Sequence, residues 1–272
     1  MMTEFLRRPE GVIAYDDTLS PGPLVVCVPS LGDVRGEYRF LRPLLVQAGY
    51  RVVTMDVRGH GESSTGWPDY AAASVGADVV ALIQHLNAGP AAVIGTSMAA
   101  AAAVWAAAEA PELVGRIVLV GAFVRDMPMP FFQKIGLGAM LAGPWRVAAW
   151  TAYYGSLYPT AKPADFAAYR AALKKNLAEP GRFAAVKGML AAPKAPCTAR
   201  LGQVQAPALV MMGSKDPDFP NPAAEAAWLA EQVRGRVVMV EGAGHYPHAE
   251  MPAVAGAAIV AFLQEGAASI GA

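Results

Sequence analysis

Residues 90–100 read Pro-Ala-Ala-Val-Ile-Gly-Thr-Ser-Met-Ala-Ala. The apolar opening suits a short buried strand and the alanine-rich continuation suits a helix, which leaves only an abrupt turn between them. A single serine, Ser97, occupies that turn, with Gly95 two residues before it and Ala99 two residues after. This is the pattern of a nucleophile elbow, G-x-S-x-(G/A), in which a strained strand-to-helix turn lifts the serine hydroxyl above a sheet edge. The flanking residues must be small because so sharp a turn brings them together. The helix behind the serine also aims its first N–H groups at the place where an attacked group gathers negative charge. An ordinary βα turn can carry the same pentapeptide, so the remainder of the chain decides between the two.

That remainder alternates. Residues 24–28 are a continuous apolar run of the kind that suits a parallel strand buried on both faces, and 51–56, 115–120, 207–213 and 236–240 read as further strands. A short hairpin-like start is expected at 11–18, before the turn at 20–23. Helices are expected at 37–48, where Phe40, Leu41, Leu44 and Leu45 make an apolar stripe, and at 71–87, where Val75, Val79, Leu82, Ile83 and Leu86 make another. Further helices are expected behind the elbow to about residue 110, at 222–233, and after the last strand to about residue 263. From 124 to 200 no strand pattern occurs, only helical segments broken by Pro130, Gly143-Pro144, Pro163 and Pro180-Gly181. Strands alternating with helices predict an α/β, doubly wound, mostly parallel sheet with right-handed crossovers. The expected division is a core of residues 1–123 and 201–272 with a helical cap of residues 124–200. That cap is expected above the C-terminal sheet edge, where α/β folds bind ligands.

Composition narrows the classes. A formal net charge of zero over 272 residues gives no basic excess to attract nucleic acid. Hydrophobic content reaches 54%, but alanine supplies much of it. The longest apolar run, 91–108, is interrupted by Gly95, Thr96 and Ser97, and its strand-then-helix reading is preferred to a membrane span. Residues 1–10 carry Arg7 and Arg8 with no apolar stretch behind them, so no secretory signal is expected. The two cysteines, Cys27 and Cys197, are far apart and lack metal-ligand spacing; Cys27 reads as a small core residue. A cytoplasmic, disulfide-free protein is expected.

A serine needs a base to become a nucleophile at neutral pH. Of the four histidines, His60 lies in a glycine-rich loop, His85 near the exposed end of a helix, and His245 and His248 just after the last strand. A histidine base needs an acid to hold its tautomer. The loop 213–218 follows the preceding strand and offers Asp216 and Asp218; Asp126, beyond the strand ending at Val120, is a third candidate. Ser97, Asp216 and His245 all come off the C-terminal ends of expected parallel strands, which lie along one edge. His248 is expected to fix its loop or face solvent, and His60 with Asp56 to hold their own turn. Asp33 could contact substrate near the oxyanion loop, but a solvated loop acid is the preferred expectation.

With these pieces in order the chain resembles an α/β-hydrolase of the single-domain, cap-bearing type. The likeness rests on D-x-R-G-H-G-x-S at 56–63, the elbow at 95–99, G-x-x-D at 213–216 and G-A-G-H-x-P-H-x-E-x-P at 242–252. The resemblance implies Ser97 as nucleophile, His245 as base and Asp216 as its orienting acid, with no metal or organic cofactor. It also implies an oxyanion hole made by the backbone N–H of Met98 and a second N–H from the loop after the first buried strand. Where the family usually reads His-Gly-x, this chain reads Pro29-Ser30-Leu31. Leu31 is the expected donor, and Gly32 could shift it by one residue.

Ten of the chain's 23 aromatics fall in the expected cap, with Met127, Met129 and Met140 beside them. Phe131, Phe132, Trp145, Trp150 and Tyr154 are expected to line an apolar pocket with few polar anchors. The function implied is hydrolysis of a carboxylic ester or lactone of an apolar small molecule through an acyl-enzyme. The same triad could serve a carbon–carbon bond hydrolase or a cofactor-free perhydrolase, and the fold could serve a small-ligand sensor.

Overall fold

A computed structural model describes residues 2–127 and 130–265. The chain opens with β1 (Thr3–Arg8) and β2 (Gly11–Asp17), followed by β3 (Leu24–Val28), α1 (Leu41–Gln47), β4 (Arg51–Met55) and α2 (Ala72–Leu86). Next come β5 (Ala91–Thr96), α3 (Met98–Glu109) and β6 (Val114–Val120). Five helices then follow without a strand: α4 (Phe131–Leu141), α5 (Arg146–Ser156), α6 (Phe166–Leu177), α7 (Arg182–Ala191) and α8 (Ala195–Thr198). The chain closes with β7 (Ala208–Gly213), α9 (Pro222–Val233), β8 (Arg236–Val240), α10 (Pro247–Glu250) and α11 (Pro252–Gln264).

The eight strands form one sheet in the order β1-β2-β4-β3-β5-β6-β7-β8. From β4 to β8 every pairing is parallel, while β1–β2 and β2–β4 are antiparallel. The expected doubly wound, mostly parallel sheet is therefore present. Alternate residues of β3 face opposite layers: Leu24, Val26 and Val28 pack with residues of α2 and α3, and Val25 and Cys27 pack with residues of α1 and α11. Each such fully buried valine or leucine stabilises by about 1.5–3 kcal/mol over its exposed state. The run of alanines in α3 is fully buried, so its small side chains serve close packing on the sheet.

Two expectations change. The chain start at 11–18 has a partner strand, β1, at residues 3–8, whose polar and charged sequence suits a sheet edge and hides the strand from a search for apolar runs. The expected helix 37–48 is broken into a 3₁₀ turn, Arg35–Tyr38, and α1. Pro43 explains the break, because proline lacks the N–H that a longer helix would need there and its ring collides with the carbonyl four residues earlier. Pro43 is tolerated in the first turn of α1, where that donor is not used.

Helices α4–α7 and the segments joining them bury a cluster of their own, including Trp150, Tyr154, Tyr158, Phe166, Leu173 and Phe183, together with Tyr246 and Ala249 from the loop after β8, whereas Cys197 of α8 packs into the core with α2 and α3. Helices α4–α7 therefore lie over the C-terminal ends of the strands. Among the described residues no helix is long and apolar enough to cross a membrane. Met129, expected beside the aromatics, falls outside the described residues.

Candidate active site

Ser97 stands between β5 and α3 with φ 58° and ψ −122°, a left-handed backbone that costs a non-glycine residue about 1–3 kcal/mol. The neighbouring strand holds it there: Ser97 N–H donates to Val120 O at 2.8 Å, and Phe123 N–H donates to Ser97 O at 3.1 Å. Gly95 is required, since a Cβ there would lie 2.3 Å from the Ala99 carbonyl oxygen. The Met98 N–H, first in its helix, has no acceptor among the described residues.

His245 follows β8, and its ring stands over the 121–123 segment that borders Ser97. A Cβ on Gly121 would lie 3.0 Å from His245 Cε1, and the Phe123 ring centroid is 5.9 Å from the imidazole. His245 Nδ1 lies 2.8 Å from Asp216 Oδ2, with both groups buried. The loops that carry them are stitched together by Ser214 N–H to Val240 O at 3.1 Å and Lys215 N–H to Ala243 O at 2.9 Å. Asp218 Oδ2 is farther from Nδ1, at 3.8 Å, and its two oxygens accept the Tyr153 hydroxyl at 2.6 and 2.7 Å. Asp126 is surface-exposed and paired with Lys194. Asp216 is thus the acid that meets His245.

Burial disfavours the charged imidazole, but the Asp216 charge and hydrogen bond, reinforced by Asp218 and Glu37, outweigh it and raise the His245 pKa to about 9. Asp216, Asp218 and His245 also place ligand atoms within 4.8 Å of one another. Their hydrogen bonds already commit them, however: His245 Nδ1 faces Asp216, Asp216 Oδ1 accepts the Asp218 N–H at 3.0 Å, and Tyr153 caps Asp218. The set suits an oriented imidazole better than a cation.

The loop after β3 passes beside this edge. Ser30 N–H donates to Glu37 Oε2 at 2.7 Å, Gly32 N–H to His60 Nε2 at 3.1 Å, Asp33 N–H to Ser30 O at 3.1 Å and Val34 N–H to Asp33 Oδ1 at 2.8 Å. The Leu31 N–H is the one amide of residues 30–34 without an acceptor among the described residues. The Gly32 alternative falls away because that amide is already used.

Several residues sit where the sequence did not suggest. Asp33 is fully buried rather than solvated, accepting the Tyr169 hydroxyl from α6; burial and then the Glu37 charge raise its pKa to about 7. His248 is fully buried, stacked on Tyr38, with Nε2 3.1 Å from Glu37 Oε1 but not aligned for a hydrogen bond. Glu250 was legible only as part of a motif; its carboxylate accepts Gly244 N–H at 2.6 Å and the Thr160 and Ala161 N–H groups at 2.9 and 2.8 Å, tying the His245 loop to the chain after α5.

The expected aromatic pocket divides. Trp150 and Tyr154 on α5 are buried, and the Trp150 indole covers Gly32, where a Cβ would meet its Nε1 at 2.5 Å. Phe131, Phe132 and Trp145 instead stand 71%, 83% and 56% exposed, so they do not line an enclosed pocket. The reason is that α4 packs chiefly against α5 and leaves its other faces in solvent. Phe123 and Phe219 were missed as wall residues; they stack at 4.5 Å, and both flank the His245 ring.

The chain matches the sequence profile of the alpha/beta hydrolase fold across residues 23–252. It is 27% identical over 217 residues to 3-oxoadipate enol-lactonase 2 of Acinetobacter baylyi, a match covering 76% of each chain. It is 36% identical over 123 residues to a Mycobacterium tuberculosis protein that carries the name non-heme bromoperoxidase BpoC, over 45% of this chain and 47% of that one. The chain thus spans about half the length of that relative. Among solved structures, an esterase from Exiguobacterium antarcticum superposes with a TM-score of 0.84 at 18% identity, over 97% of this chain and 100% of that one. At that identity the likeness is one of fold.

Proposed function

The chain belongs to the alpha/beta hydrolase family, and from that premise we propose that it is a serine hydrolase of carboxylic esters or lactones. In this reading Ser97 Oγ attacks the carbonyl carbon while His245 Nε2 takes its proton, and Asp216 holds the imidazolium that forms. The tetrahedral oxyanion is held by the Met98 and Leu31 N–H groups. The alcohol leaves with the proton from His245, and a water that His245 then deprotonates releases the acid from the acyl-enzyme.

One observation carries the proposal: a buried 2.8 Å His245–Asp216 pair beside a serine held at positive φ. The two unpaired amides in loops at the same edge add to it. Helices α4–α8 are proposed as a cap, with Trp150, Tyr154, Phe123 and Phe219 as apolar walls that favour a small apolar substrate. Lactones are included because of the likeness to an enol-lactonase.

Turnover of a panel of aryl esters and lactones by the wild type and Ser97→Ala tests this directly. Ser97→Ala is expected to remove both turnover and labelling by a fluorophosphonate, because no other residue is assigned to attack the carbonyl. Unchanged turnover in that variant would overturn the mechanism.

A further inference from the structure

His60 takes no part in the steps above, yet it is one of the most constrained side chains near them. The loop 56–63 that carries it is fixed from several sides. Arg58 grips Asp78 of α2 through Nε and Nη2 at 2.8 and 3.0 Å, and the Ser63 hydroxyl bridges Asp56 O at 2.7 Å and Ala14 N–H at 2.9 Å. Asn176 of α6 meets both the Gly61 N–H, at 3.1 Å, and the Gly61 carbonyl, at 3.0 Å. The histidine is fully buried on this rigid base.

Its two ring nitrogens have distinct partners. Nδ1 lies 3.1 Å from the Arg58 carbonyl, an acceptor only, so Nδ1 carries the proton. Nε2 is then a bare lone pair, and it receives the Gly32 N–H at 3.1 Å. The bond requires a neutral ring. Burial, with the Arg182 charge of α7 facing it, lowers the His60 pKa to about 4, opposed only by the Arg58 carbonyl.

Gly32 sits at φ +78° directly after Leu31. The peptide plane that carries the Gly32 N–H also carries the Leu31 carbonyl, so anchoring this amide restrains ψ of Leu31 and with it the direction of the Leu31 N–H. The preceding amide, Ser30 N–H, is anchored on Glu37 at 2.7 Å. Among the described residues Leu31 N–H is thus a donor without an acceptor, between two pinned neighbours. Where the family pattern reads His-Gly-x, this chain has no such pair, and the anchoring comes from outside the loop.

We infer that His60 is a positioning residue for the oxyanion hole: through the lone pair of its Nε2 it holds Gly32 and thereby aims the Leu31 N–H. The inference rests on the reading of Leu31 as an oxyanion donor. It assigns His60 work beyond its own turn, across 28 residues of sequence.

Two amide variants of different reach separate this from a merely structural histidine. In His60→Gln the amide oxygen can reach the position of Nε2, whereas in His60→Asn the side chain ends near Nδ1 and leaves Gly32 N–H unpaired. Full-length wild type, His60→Gln, His60→Asn and Ser97→Ala would be assayed on p-nitrophenyl butyrate, with amide exchange measured over residues 29–33. His60→Asn is expected to lower kcat by about 10- to 100-fold, up to the lower range for loss of a whole oxyanion donor. KM should change by no more than about twofold, since the effect lies in the transition state. His60→Gln should restore most of kcat and slow the exchange that His60→Asn accelerates. Wild-type kcat in His60→Asn, or His60→Gln as impaired as His60→Asn, would overturn the inference. If wild type turned over no ester the hydrolase reading would fail separately. Equal exchange of the 29–33 amides in the two His60 variants would still overturn this one.

Discussion

The turn after β5 and the loop after β3 leave adjacent parallel strands, and among the described residues the Met98 N–H in the first and the Leu31 N–H in the second have no acceptor. They reach that state differently. The β5 turn is shaped within five residues: Gly95 gives the space, Ser97 takes the positive φ, and the first turn of α3 leaves its N–H free because helix geometry supplies no partner there. The β3 loop is shaped from outside, by Glu37 on Ser30, His60 on Gly32 and the Trp150 indole laid over Gly32. A donor fixed by local sterics and a donor fixed by remote acceptors should respond differently to substitution.

The largest effect is expected at the locally shaped turn. Gly95→Ala would force a Cβ into the Ala99 backbone, where neither side can yield without moving β5 or α3. The expected loss is about 1–3 kcal/mol of stability in urea unfolding, with turnover falling in step. A fully stable, fully active Gly95→Ala would show that the turn is looser than its contacts imply. At the remotely shaped loop, Glu37→Ala removes the acceptor of Ser30 N–H and leaves the β5 turn untouched. It is expected to lower kcat about tenfold, with about 1–3 kcal/mol lost for the polar groups left unpaired. If kcat and fluorophosphonate labelling stayed at wild-type levels, the loop would need no outside anchor.

The smallest expected effect serves as a control on both loops. Asp218 touches neither, but its charge helps hold the proton on His245, whose pKa stands at about 9. In the proposed role of base His245 must be neutral to act, so kcat/KM should rise with pH through that range and level off above it. Asp218→Asn withdraws a negative charge, lowers the His245 pKa and moves the acid limb of the profile to lower pH. An unmoved limb would mean that Asp216 alone sets the titration.

Much of this site could be read along the chain. Ser97, Asp216 and His245 each follow an apolar run short enough to be a strand, and parallel strands necessarily bring such positions to one edge. Strand β1 escaped notice because an edge strand with charged residues lacks the apolar signature of a buried one. The aromatics were misread because composition records that Phe131, Phe132 and Trp145 are apolar, not which neighbours cover them; α4 has too few. Asp33 was misread for the converse reason, since a loop acid looks solvated until Tyr169 of α6 and the buried α5 aromatics close over it.

The alternation of strands and helices and the elbow at Ser97 follow from periodicity, side-chain size and backbone sterics among near neighbours, which the order of residues already contains. Which amide of residues 30–34 lacks an acceptor among the described residues is settled by long-range packing. Glu37, 7 residues on, takes Ser30 N–H from the turn that follows, but the acceptor of Gly32 N–H is His60, 28 residues away in another loop, and that bond exists only once the sheet has brought the two loops together.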